Sequence, residues 1–95
     1  MKVVYTDDAS EDLEEILAYI ASNYPAVYDA FLIRLRSVIA RIGMWPDSAQ
    51  EVAEERGVRA VPLLRYPYKI FYRNTGDAIE ILYIHHAAQN ERRDI

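Results

Sequence analysis

Two stretches of this chain carry apolar residues at helical spacing, and the stretches after them change to the alternation of strands. Leu13, Ile16, Leu17 and Ile20 fall at i, i+3, i+4 and i+7, a spacing that lines one face of an α-helix. Glu11, Asp12, Glu14 and Glu15 fall mainly on the other face, with Asp12 and Glu15 expected to point outward. Thr6, Asp7 and Asp8 each suit the N-cap, because a short side-chain oxygen accepts from the unpaired first-turn amides. Asp8 and Glu11 also have capping-box spacing. The helix is expected to stop near residues 22–24. Pro25 then suits the first position of a second helix, where its missing N–H is no loss. Tyr28, Phe31, Leu32, Leu35, Val38, Ile39 and Ile42 form the apolar stripe of that helix, and Gly43 suits its C-cap. So short a connection predicts an antiparallel helical hairpin.

The remaining elements read as strands. Residues 2–5 are rich in β-branched and aromatic side chains. Residues 44–56 form a connector with room for a short helical turn. A second strand opens at Gly57, and Pro62 limits it to an edge, a bulge or an early end. Residues 68–73 and 78–85 are strands three and four, separated by the turn Asn74-Thr75-Gly76-Asp77, where Gly76 suits positive φ. Strict alternation through the last strand puts His85 on the face of Ile79, Ile81 and Tyr83, and His86 on the face of Leu82 and Ile84. The order β-α-α-β-β-β predicts an α+β fold: an antiparallel sheet covered on one face by the helical hairpin.

Composition narrows this picture. Ninety-five residues with 52% hydrophobic content fit a single domain spanning residues 1–95. With no cysteine, neither a disulfide framework nor a thiolate metal site can form. His85 and His86 are adjacent on a strand and so point to opposite faces, which denies them a shared metal ion. Three glycines provide no phosphate-cradling loop, so no cofactor is expected. The N-terminus turns acidic within a few residues, unlike a signal peptide. No apolar run nears the roughly 20 residues of a membrane span.

The net charge is −4 and is unevenly placed. Residues 1–50 hold eight acids against four bases, and residues 51–95 hold seven of each. The acidity therefore sits mostly in the first helix. Proteins that grip a phosphate backbone mainly by charge are usually basic, which weighs against ribosome docking.

Three segments carry a family resemblance. They are Gly57-Val58-Arg59, Tyr66-Pro67-Tyr68-Lys69-Ile70-Phe71-Tyr72-Arg73, and Ile81-Leu82-Tyr83-Ile84-His85-His86-Ala87-Ala88. They follow Asp12-Leu13-Glu14-Glu15-Ile16-Leu17-Ala18-Tyr19-Ile20 in an order that resembles the ParE/RelE superfamily of bacterial type II toxins, the ParE branch most closely. One position departs. Gln89 stands where the family has Arg, with Arg92 and Arg93 just beyond.

The resemblance implies a cytoplasmic toxin held by a cognate antitoxin in a hetero-oligomer, with DNA gyrase as its target. ParE-type inhibition needs a binding surface, for which Arg59, Arg73, Gln89, Arg92 and Arg93 are the candidates. The alternative is RelE-type cleavage of messenger RNA on the ribosome. That chemistry needs a proton acceptor, a proton donor and cations around the pentavalent phosphate, roles open to Arg59, Arg73, His85 and His86. A third reading is a weakly toxic module that only binds antitoxin. Eight tyrosines add interface-forming area. Tyr66, Tyr68 and Tyr72 are candidates for an antitoxin groove, and Asp12 and Glu15 for meeting a basic antitoxin segment.

Overall fold

The computed structural model describes residues 1–87. Strand β1 (Val3–Tyr5) leads into helix α1 (Asp7–Asn23), a 3₁₀ turn (Pro25–Val27) and helix α2 (Tyr28–Met44). Strands β2 (Gln50–Glu51), β3 (Val58–Pro62), β4 (Tyr68–Asn74) and β5 (Ile79–His86) complete a five-stranded sheet ordered β1-β5-β4-β3-β2. The α+β architecture agrees with the sequence pattern. The pairings β2–β3, β3–β4 and β4–β5 are antiparallel, and β1 joins β5 in parallel. The hairpin lies between β1 and the later strands, and this crossover makes a parallel pairing possible.

Thr6 is the cap that α1 uses. Its side chain accepts from the Ala9 amide at 3.0 Å, and Asp7 and Asp8 occupy the first turn, where acids complement the helix dipole. Ile16 and Ile20 are buried, with Leu13 and Leu17 packed against the same cluster. From α2 come Phe31, Leu35, Val38 and Ile42; from the sheet come Ile70, Tyr72, Ile79, Ile81 and Ile84. Burial of such side chains contributes roughly 1.5–3 kcal/mol each, so this hairpin–sheet layer is the main core.

Three local expectations change. Gly43 is not the C-cap. It lies inside the last turn of α2, which continues to Met44 and closes with the Trp45 amide on Arg41 O. A Cβ at Gly43 would stand 3.4 Å from both Met1 O and Val3 Cγ2, so glycine lets the N-terminal strand approach closely. Pro25 begins the 3₁₀ turn ahead of α2, not α2 itself. The connector forms strand β2, in which Gln50 and Glu51 pair with Ala60 and Arg59. A turn through Gly57, at φ +81°, follows; the Gly57 amide donates to Glu51 Oε2 at 2.7 Å.

A further change concerns the faces of β5. Phe71 pairs with Tyr83 and Tyr72 pairs with Ile81, so Leu82 is an extra residue in β5. Such a bulge reverses the alternation beyond it. Ile79 and Ile81 face the helices before it, and Ile84 does so after it. Tyr83 and His85 therefore turn to the far face, away from Ile79 and Ile81, and His86 turns to the helix side.

Candidate functional site

The bulge exposes backbone groups of β5 beyond the reach of short β1, and α1 supplies their partners. Thr6 Oγ1 donates to Leu82 O at 2.7 Å. The Ile84 amide donates to Asp12 Oδ2 at 2.9 Å. Asp12 thus turns its carboxylate to the sheet, whereas the helical pattern placed it outward. Glu15 is exposed as expected.

The helix side of the sheet carries an open groove of about 620 Å³ between the end of α1 and the facing ends of β4 and β5. Glu15, Tyr19, Tyr24, Tyr66, Tyr68 and His86 are among its walls. Its rings are arranged in sequence. Tyr68 meets His86 edge-on at 5.5 Å and Phe31 at 6.0 Å, while Phe31 meets Tyr66 at 5.2 Å. Edge-to-face contacts of this kind are a favoured arrangement of aromatic rings. Tyr19 and Tyr24 stand 6.0 Å apart at the rim, both about half exposed. Burial raises the Tyr68 phenol above its ordinary value, with a further push from Tyr19 nearby.

The far face gathers a different set. Lys69, Phe71 and Arg73 lie on it from β4, and Tyr83 and His85 from β5. The Tyr83 and His85 rings stack at 4.4 Å, Tyr83 lies 4.7 Å from the Phe71 ring, and the Tyr83 hydroxyl donates to Glu55. Arg73 stands 4.0 Å from Glu80. With these rings above it, Phe71 is 2% exposed.

Arg59 belongs to neither set. It pairs across the ladder with Tyr72 on the helix side, and both side chains tie down the connector. Arg59 Nη1 donates to Ala49 O at 2.6 Å and to Asp47 O at 3.3 Å, with the Asp47 carboxylate 3.8 Å away. The Tyr72 hydroxyl donates to Pro46 O at 2.6 Å. Burial raises the Tyr72 phenol, partly offset by the Arg59 charge.

The four residues able to serve a ribonuclease thus divide. Arg59 and His86 lie on the helix side; Arg73 and His85 lie on the far face. Among the antitoxin candidates, Tyr66, Tyr68 and Glu15 share the groove, while Tyr72 and Asp12 are engaged elsewhere. Gln89, Arg92 and Arg93 lie outside the described residues. Sequence reasoning missed the Thr6 and Asp12 attachments and the role of Glu55. The unbroken apolar run Ile81-Leu82-Tyr83-Ile84 was the available signal, since alternation fails within it.

The family model of the ParE toxin of the type II toxin–antitoxin system parDE matches residues 3–91. The chain belongs to that family. Among solved structures it is similar to a chain of the chromosomal ParDE TA system from P. aeruginosa, at TM-score 0.66 and 23% identity, over 90% of this chain and 95% of that one. That likeness is one of fold. No curated protein matches the chain. No helix among the described residues is long and apolar enough to cross a membrane.

Proposed function

We propose that this ParE-family toxin arrests growth by binding DNA gyrase and is neutralised in the cytoplasm by a cognate antitoxin. The observation that carries the binding reading is the division of Arg59 and His86 from Arg73 and His85 across the sheet. In-line attack on a phosphate needs its acid, base and cations around one atom, and residues on opposite faces of a sheet cannot converge so. Family membership supports the toxin role. Arg73 with Gln89, Arg92 and Arg93 is the proposed target contact; Arg59 acts by fixing the connector. The groove walled by Tyr19, Tyr24, Tyr66, Tyr68 and Glu15 is the proposed antitoxin seat, since rigid aromatic side chains with polar ends bury large area at low entropic cost.

A second reading keeps one observation in its favour. Lys69, Arg73, Tyr83 and His85 share the far face, as a ribosome-dependent ribonuclease would need. Tyr83 and His85 are stacked on each other and Tyr83 is bonded to Glu55, which favours a structural use of both.

Induction of the chain without a partner separates these readings. Gyrase poisoning gives filamentation and double-strand breaks with intact transcripts. Ribonuclease action gives rapid transcript cleavage. Unchanged growth at good expression would leave only antitoxin binding.

A further inference from the structure

Arg65 has a left-handed backbone, at φ +81°. It is the third residue of a turn closed by the Tyr66 amide donating to Leu63 O at 2.8 Å. Leu64, the second residue, is not at positive φ, so the turn is of type II, whose third position normally takes glycine or asparagine. An arginine held there keeps its side chain at the cost of backbone strain, a pattern that collects at functional surfaces. Nothing among the described residues rewards it: Arg65 forms no hydrogen bond or ion pair with them.

The Arg65 side chain stands beside the outer face of α2. With Ile33, Arg34 and Ser37 it lines a shallow cleft of about 360 Å³. Arg34 and Ser37 also line an adjoining cleft of about 350 Å³, with Arg41 and Leu64 on its rim and Val38, Val61 and Pro62 in its walls. Ile33 and Leu64 are 67% and 62% exposed. Arg34 and Arg41 likewise have no ion pair among the described residues, whereas Arg59 and Arg73 do.

We propose that this face is a second docking surface, adjoining the aromatic groove at Tyr66 and independent of the gyrase reading. Its occupant is a protein segment that is apolar on one side and bears carboxylates alongside. Three guanidiniums without an ion pair among the described residues, in a chain of net charge −4, form a local field opposite to the rest of the molecule, which selects an acidic partner. Arg34 and Arg41 are seven residues apart on one helix, about 10.5 Å along its axis. A partner helix laid along α2 repeats that spacing with acids seven positions apart. Guanidinium pairs well with carboxylate, and the apolar side of the segment covers Ile33 and Leu64. A nucleic acid would meet the arginines with phosphate yet leave both aliphatic side chains uncovered, and would be repelled by the acidic remainder.

The test is a displayed library of random 16-residue peptides, selected on the full chain and counter-selected on a variant carrying R34E and R41E. The expected result is a set of clones lost on the variant, enriched in Asp or Glu at helical spacing around Leu, Ile or Val. One such peptide, synthesised, should bind R65G at least threefold more weakly and the double variant at least tenfold more weakly, with both proteins folded by circular dichroism. Replacing its acids by Gln or Asn should also cost at least tenfold. The proposal is overturned if no clone depends on these arginines, if dependent clones lack acids, or if R65G binds as well as the parent. It is equally overturned if a DNA duplex of 16 base pairs competes the peptide off at its own binding concentration.

Discussion

The Asp12 carboxylate accepts the Ile84 amide at 2.9 Å across 72 positions of sequence. With Thr6 on Leu82 O, it fastens the acidic helix to β5 where the strand bulges. A half-buried amide left without its acceptor costs about 1–3 kcal/mol. Asp12→Ala should therefore lower unfolding free energy by about that much, while Asp12→Asn, which keeps an acceptor oxygen, should lose less. Chemical denaturation of the three proteins measures the ordering. Equal loss in both variants would mean that the negative charge, not the acceptor, is what holds the contact.

Tyr72 is wholly buried and donates its hydroxyl to Pro46 O. Burial raises its phenol above the ordinary value of 10.0, and Tyr5 and Tyr68 are also raised by burial. The unfolded chain then releases these protons first as pH rises, so it binds fewer protons than the folded chain. Stability is present in full below about pH 10 and falls as pH climbs through the raised folded values. Tyr72→Phe should flatten that alkaline decline while costing about 1 kcal/mol at neutral pH through the lost hydrogen bond. Melting curves between pH 7 and 11 would show both effects. An unchanged alkaline slope would exclude Tyr72 from the linkage.

Tyr19 and Tyr24 stand at the groove rim, each about half exposed, so truncating them costs the fold little. If the antitoxin sits in this groove, Tyr19→Ala with Tyr24→Ala should weaken the complex at least tenfold, the effect expected of one strong aromatic anchor. Calorimetry on the purified pair reads this directly. Undiminished affinity would move the antitoxin to another surface.

Arg65→Gly should stabilise the protein by up to about 1 kcal/mol, since glycine takes positive φ without the steric penalty of a Cβ. Glycine also gains freedom in the unfolded chain, which sets an upper limit on the benefit. A lower melting temperature would show that the arginine side chain supports the fold.

Much of the fold was legible because each element announces itself locally. The stripe from Phe31 to Ile42 needed only a period count, and Thr6 was one of three caps the sequence allowed. What escaped was non-local. Gly43 looks like a cap to its neighbours in sequence, but Met1 and Val3 determine its use. The bulge at Leu82 depends on how β5 meets β4, and it reversed the faces of Tyr83 and His85. That reversal left the two histidines on opposite faces but exchanged their companions, setting His85 with Arg73 and His86 with Arg59. Helical spacing points Asp12 outward, yet the bulge it serves recruits it to the sheet. Arg65 has no sequence signature at all, since type II turns ordinarily advertise themselves with glycine.

Gyrase inhibition by binding, as proposed, needs no imidazole chemistry. The most direct measurement adds purified toxin to DNA gyrase and supercoiled plasmid with ATP, in parallel with toxin carrying His85→Gln or His86→Gln. An imidazole proton carrier is worth about 10²–10⁴ in rate where it is catalytic. Cleaved, linear plasmid should accumulate with the parent and with each folded histidine variant alike. Inhibition by binding is ruled out if gyrase is unaffected while ribosome-bound messenger RNA is cut by the parent and spared by either variant.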